Sequence, residues 1–324
     1  MAFPLRPRDL SLLLLLGAIW GTAFVFITVG LQSFSPILLA ALRFDIVALV
    51  LFGIAAARRK GPLLPQNARQ WTAIAIAGVF NIAAYHAFLF WGQLSTSAAI
   101  AAVIVGLNPV LTTVASRWFL EDERVGTAGL VGLALGFGGV VLLASMKPGS
   151  LLDAQGIGEL LCLGAIGAWA LGSVLVKRTK HGMDVFTFIA WHCLAGSVVL
   201  HAASFLFEDG GRATFDLWGV TSLLYLALIS SAIGFVIYYT LFERIGPIRV
   251  NLVSHVAALS ATLSAPLLVL IPGLEWVPAS FELRAILAFI LIASGFALVA
   301  RPAPGRPVPV AVAPESLPKV ELKR

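Results

Sequence analysis

Apolar residues in this chain come in ten runs of about 20, separated by short polar stretches. The runs lie near residues 10–30, 36–57, 71–91, 97–118, 125–145, 157–177, 184–207, 218–242, 250–271 and 284–300. At about 1.5 Å of rise per helical residue, each is long enough to cross about 30 Å of hydrocarbon. The pattern predicts an all-α membrane protein with ten transmembrane helices. The third run carries Trp71 and Trp91 at its ends, where tryptophans fit the two aromatic belts of a bilayer. The first run follows Arg6 and Arg8 and starts like a signal peptide. It continues, however, for about 20 residues with no Ala-x-Ala site, where a signal h-region has about 7–15. It is expected to remain attached as the first spanning helix.

Composition changes the picture only by removing alternatives. Of 324 residues 59% are hydrophobic and 12% charged, with a mean hydropathy of +0.96. A soluble domain carries about 25% charged residues, so half the usual charge is missing and the solvent must be lipid. Cys162 and Cys193 both fall inside apolar runs and give neither a disulfide framework nor a metal spacing. Lys and Arg set the expected orientation. With both termini cytoplasmic, 18 of the 22 basic residues fall on the cytoplasmic side, against Lys147, Arg212 and Arg284 outside and Arg43 within a run. That asymmetry is the positive-inside pattern, placing the chain in the cell (inner) membrane. It also accounts for the net charge of +6 without invoking nucleic acid. The proline-rich segment 301–324 is expected to be a disordered cytoplasmic tail.

The chain also repeats itself. "GAI" recurs at Gly17 and Gly164, and "LSTSAAIAAVIVGLNPVLTTVASRWFLEDERV" is echoed by "IGPIRVNLVSHVAALSATLSAPLLVLIPGLEWV" about 151 residues later. Two halves, 1–150 and 151–300, then hold five runs each. Five is odd, so the second half enters the membrane inverted, the architecture of alternating-access transporters with a site near the midplane.

Here the residues resemble a known family. "GAIWGTAFVFI", "LRF" in the second run, the small-residue fourth run with "NP", the acidic "FLEDERV" and "GFGGVVLLA" are similar to the drug/metabolite transporter superfamily, EamA type. The resemblance implies a five-plus-five inverted fold around a central cavity. It also implies that the cavity is lined mainly by the first, third and fourth helices and their counterparts, the sixth, eighth and ninth.

Polar residues inside the runs are the candidates for that cavity. In "AAYHAFLFWG", Tyr85 and His86 sit where an imidazole facing lipid would be unsatisfied, so they should face protein or water. On an α-helix Asn81, Tyr85 and Phe88 share one face, with Ile82, His86 and Phe90 beside it. Trp20 and Trp169 hold corresponding mid-run positions, beside Gly17, Gly21 and Gly167, which permit close helix approach. Tyr238 and His255, with Asn251 and Thr262 on the latter's stripe, complete the substrate-contacting set. The alternative for His86 is a packed histidine bonded to a neighbouring carbonyl, and for the Ser and Thr residues interhelical glue; the clustering of Asn81, Tyr85 and His86 on adjacent faces favours substrate contact. Arg43 and Asp45, two residues apart, fall on different faces. Glu159 is the expected partner of Arg43 in a structural or gating ion pair, His192 holds the place matching Arg43, and Pro109 is expected to kink the fourth helix.

The inventory around the cavity is mainly neutral, and converging cations for a phosphorylated substrate are lacking. Aromatic walls with a few hydrogen-bonding groups suit small neutral or zwitterionic metabolites. The Tyr-His pair and mid-run tryptophans resemble the amino-acid-exporting branch of the family, which implies amino acids, aromatic ones included. No acidic pair lies near the midplane, so a facilitative carrier is expected. Proton-coupled efflux through a histidine is the alternative, and a lipid scramblase or non-transporting helper the next. Zinc-type histidine spacings and a Gly-x-Ser-x-Gly frame are absent, which argues against an intramembrane enzyme. No cofactor or metal is expected. The expected partners are a small-molecule substrate and the bilayer, with the protein a monomer or homodimer.

Overall fold

The computed structural model describes residues 6–58, 61–119, scattered positions between 131 and 142, 154–246, 250–268 without 252, and 283–299. Its helices are α1 (Pro7–Ser33), α2 (Pro36–Arg58), α3 (Ala68–Gly92), α4 (Ala98–Phe119, broken after Val105), α5 (Ala154–Thr179), α6 (Val185–Phe207), α7 (Leu217–Ile245), α8 (Val253–Leu268) and α9 (Leu283–Val299). Among the described residues there is no strand, only an isolated bridge between Phe34 and Ala213. Seven of these helices are long and apolar enough to cross a membrane, while α8 and α9, at 16 and 17 residues, are shorter. The expected fifth run, 125–145, and the tail after Ala300 lie mainly or wholly outside the described residues.

Side chains set the helix ends. Pro7 opens α1 where its missing N–H costs nothing. Asn67, Asp184 and Asp216 cap α3, α6 and α7 by accepting from the first free backbone N–H groups. Glu208, past the end of α6, accepts from Ile37 N at 2.9 Å and Leu38 N at 3.1 Å. A carboxylate from one half thus neutralises the helix start of the other. Gly246, at φ +80°, ends α7 in a conformation that costs a residue without Cβ little.

Two helices are not regular. α3 runs as π-helix over Ala77–Ala84 and α7 over Tyr225–Ile233. At the far ends of these segments Tyr85 N bonds to Phe80 O, and Gly234 N to Ile229 O. Each π stretch rotates the residues that follow it relative to an α-helical reading. The two sit at matching places: Trp20 and Trp169 are 149 positions apart, and adding 149 to 77–84 gives 226–233.

Helix packing obeys the same exchange. α1 packs on α8 and α4 on α5; α3 packs on α5 and α1 on α7; α3 packs on α6 and α2 on α7; α2 and α6 pair with each other. Glycine makes the closest of these approaches. A Cβ on Gly17 would lie 2.4 Å from Val256, and Gly78 and Gly196 bring α3 against α6. Gly167, expected among them, has nothing within 4 Å of a Cβ and plays no such part.

Candidate functional site

Where the halves meet, a cavity of about 50 Å³ is lined by Trp20, Phe24, Arg43, Tyr85, His86, Asn108, Trp169, Ser230, Phe235, Ser254 and aliphatic neighbours. At about 10–15 Å³ per water it has room for a few water molecules, so anything larger requires its walls to part. Trp20 and Trp169 meet edge to face with centroids 6.0 Å apart, and Tyr238 lies 5.3 Å from each. Tyr85 stands 5.0 Å from Trp169, and Phe235 completes the ring of aromatics. Such pairs hold their geometry beyond simple area burial.

Each tryptophan residue is tied to the helix of the opposite half by a hydrogen bond, one through its indole and the other through its backbone carbonyl. Trp20 Nε1 donates to Ser230 O at 3.0 Å, joining α1 to the π segment of α7. Asn81 Nδ2, in the π segment of α3, donates to Trp169 O at 3.0 Å and to Ser173 Oγ at 3.3 Å. Asn81 and Ser230 are again 149 apart. Gly234 leaves room for the Trp20 indole, since a Cβ there would lie 2.7 Å from Nε1.

His86 is both packed and exposed to the cavity. Its Nδ1 donates to Ile82 O at 2.9 Å, one turn back on its own helix, and its ring lies between Phe44, Phe90 and Tyr85. A carbonyl partner fixes the proton on Nδ1 and leaves Nε2 as an acceptor. The expected common face of Asn81, Tyr85 and Phe88 does not exist: the π segment sets Asn81 apart from Tyr85, and Phe88 diverges from Tyr85 on the regular helix that follows. Asn81 is buried against α5, Tyr85 faces the cavity, and Phe88 is 37% exposed beside Gly164.

A polar chain crosses between the halves next to the cavity. Tyr238 OH donates to Asn251 Oδ1 at 3.1 Å, Asn251 Nδ2 to Thr112 Oγ1 at 3.0 Å, and Thr112 Oγ1 to Asn108 Oδ1 at 3.1 Å. Asn108 lies in the cavity wall, just past the break in α4 at Gly106–Leu107. Pro109 has no N–H for Val105, so the α-helical ladder lapses there and the break precedes the proline. Tyr238 and Asn81 therefore stand behind the wall, holding it. His255, expected among the substrate contacts, lies away from the cavity, its ring 6.1 Å from Phe289 of α9.

The expected ion pair is replaced by something else. Arg43 Nε donates to Ser231 Oγ at 2.5 Å and Nη2 to Ser230 Oγ at 3.2 Å, with the rings of Phe44 and Phe90 5.2 and 5.9 Å from the guanidinium carbon. Glu159 instead accepts from Thr96 at 2.8 Å. Asp45 turns to the other side of α2, where it accepts from Ser197 and from His201 Nε2, the latter at 2.7 Å. His192 Nδ1 donates to Phe188 O. Ser230, Ser231, Thr112, Ser254 and Phe235 were not singled out from the sequence. Ser230 and Phe235 carry one signal, lying 149 residues from Asn81 and His86; Ser231, Thr112 and Ser254 carry none, and the π segment that holds the two adjacent serines has no sequence signature.

A sequence model of the family described as "EamA-like transporter family" matches residues 9–145 and again 156–301. Among curated proteins, the chain is 30% identical over 68% of its length to the chloroplastic WAT1-related protein At3g02690 of Arabidopsis thaliana, spanning 54% of that protein. It is 27% identical to the uncharacterized transporter YoaV of Bacillus subtilis over 86% of this chain and 91% of that one. It is 29% identical to a protein of Escherichia coli named a probable amino-acid metabolite efflux pump, over 81% of this chain and 87% of that one. A crystal structure at 22% identity superposes with a TM-score of 0.63, covering 91% of this chain and 97% of that chain. That likeness shows a shared fold.

Proposed function

We infer the function from one premise: this chain belongs to the EamA-like transporter family. As a multi-pass membrane protein of a transporter family, it has a small molecule to move. We propose that it is an inner-membrane exporter, an alternating-access and facilitative carrier of small neutral or zwitterionic metabolites. Amino acids, aromatic ones included, are the substrates we assign. The proposal includes ten spans in two inverted repeats with both termini cytoplasmic, and is supported by the family model matching twice in tandem.

One observation carries the substrate class. The cavity between the halves is walled by Trp20, Tyr85, Trp169 and Phe235 and offers few polar groups, Arg43, His86, Asn108, Ser230 and Ser254 among them. Apolar faces with a small number of placed polar groups suit a ligand with a flat or aliphatic side chain and one polar end. The naming of the E. coli relative as a probable amino-acid metabolite efflux pump points the same way.

The test is flux of labelled tryptophan and threonine from proteoliposomes containing wild type, His86→Ala or Trp169→Ala. The expected result is counterflow that equilibrates without an imposed pH gradient and falls in both variants. Flux only under a pH gradient would replace facilitation by proton coupling through His86. No amino-acid flux in the wild type would refute the substrate class.

A further inference from the structure

Arg43 is 4% exposed, lies in the cavity wall and sits inside a membrane-spanning helix. Such a charge normally has a carboxylate for company, because an ion removed from water costs several kcal/mol unless it is paired. Here it has none. The two nearest acids in the sequence reading are committed elsewhere, Asp45 to Ser197 and His201, Glu159 to Thr96. No Asp or Glu is among the residues lining the cavity. Two of the five guanidinium N–H donors go to Ser231 and Ser230. The other three have no partner among the described residues. Phe44 and Phe90 give the cation two ring contacts, which attract it but supply no negative charge.

We propose that the missing counter-ion is the substrate: Arg43 receives the carboxylate of the molecule carried in the central cavity. A guanidinium matches a carboxylate with two parallel N–H···O bonds, and it stays charged at any physiological pH, so it selects for an anionic planar group. Ser230 and Ser231, by taking Nε and one Nη2 donor, fix the fork and leave its other edge for the ligand. On the same cavity, His86 Nε2 is an acceptor suited to an ammonium group. The class this defines is monocarboxylates with an apolar body, α-amino acids among them. Amines that lack the carboxylate are excluded by repulsion from the same charge. The inference rests on the amino-acid reading above for its biological substrate, but its chemistry is separable from it.

The experiment uses ligand-induced shifts in thermal unfolding of the purified full chain, with tryptophan, indole-3-propionate (carboxylate, no amine) and tryptamine (amine, no carboxylate) as probes. In wild type, tryptophan and indole-3-propionate are expected to stabilise and tryptamine not to. Arg43→Gln is expected to weaken the carboxylate probes by about tenfold to a hundredfold and to abolish the discrimination, with Arg43→Lys intermediate. A purely structural arginine would lower the melting temperature without altering which probe binds. Should Arg43→Gln fail to fold, the wild-type and Arg43→Lys probe ranking decides. Equal stabilisation by tryptamine and indole-3-propionate in wild type overturns the proposal, as does no binding of any carboxylate probe. Carboxylate binding without amino-acid flux would refute the exporter reading and leave Arg43 standing.

Discussion

Gly21→Ala on α1 is a change of one methyl group whose cost is set by the helix that crosses it. An added Cβ would lie 2.4 Å from Ser260 Cβ, 2.6 Å from Ala257 O and 2.9 Å from Ala261 N. Two of these three atoms are backbone and cannot rotate aside. Ordinary carbon contacts lie at about 3.5–4.0 Å, so α1 and α8 must separate by about 1 Å along this line. Overpacking of this kind costs about 1–3 kcal/mol, and two unyielding backbone contacts place it at about 2–3 kcal/mol, offset by about 1 kcal/mol from the better helix propensity of alanine. A net loss of about 1–2 kcal/mol follows.

Gly53 supplies the control. It lies on the exposed side of α2 with nothing within 4 Å of its Cβ position, so Gly53→Ala keeps the propensity gain of up to about 1 kcal/mol and meets no clash. The two variants should therefore shift the melting temperature of the detergent-purified protein in opposite directions, Gly21→Ala down and Gly53→Ala level or up. Ala257 also lines the cavity and Trp20 adjoins Gly21, so flux should fall with Gly21→Ala and hold with Gly53→Ala. If Gly21→Ala melts at or above wild type, the close approach of α1 to α8 is wrong, and with it the shape of the cavity wall they share.

Three further outcomes are expected. Asn251→Leu breaks the chain from Tyr238 to Thr112 and takes the Asn251 partner from the buried Tyr238 hydroxyl at about 1–3 kcal/mol, while Thr112 keeps its bond to Asn108; Asn251→Leu combined with Tyr238→Phe should recover part of that loss in the same melts. His201→Leu leaves Asp45 with Ser197 alone and should lower thermal stability, while Asp45→Leu combined with His201→Leu restores part of it, because removing both partners of a hydrogen bond costs less than removing one. Asp216, outside the spans, has its carboxyl held below the usual range by the Ser33 hydroxyl at 2.6 Å and by Gly219 N. A depressed carboxyl stabilises above its ordinary pKa and loses that contribution as pH falls through the folded value. Wild type should therefore lose more stability than Asp216→Asn between about pH 5 and pH 3, read as melting temperature against pH.

Hydrophobic run length was enough to find the helices, because a membrane demands about 20 apolar residues and tolerates few charges. The matching positions of Trp20 and Trp169 were legible for a related reason: a tryptophan in mid-span is rare enough to register twice. What could not be read was which side of α3 and α7 faces inward. An α-helical wheel places Asn81 with Tyr85, yet the π segment that ends between them turns Asn81 onto α5 while Tyr85 faces the cavity. Backbone bonding of that kind leaves the apolar pattern unchanged. The partner of Arg43 was misassigned for the same reason. Charge alone suggested Glu159, but the π segment of α7 presents two serine hydroxyls instead.

The two halves are alike in scaffold and unlike in charge, and a carrier needs both. The cross-links at each tryptophan fall at matching places but differ in chemistry: the Trp20 indole donates to Ser230 O, whereas Trp169 accepts through its backbone carbonyl from Asn81. The charge does not follow the repeat. Position 43 holds an arginine, while its counterpart 192 holds a buried histidine that donates to its own helix. His192 is fully buried and outside the cavity wall, so that wall keeps a single cation. On the proposed reading, the one cation takes a monoanion by one end, its guanidinium oriented by the two serines of the opposite half, and the apolar remainder of the ligand lies along the aromatic wall shared by both halves.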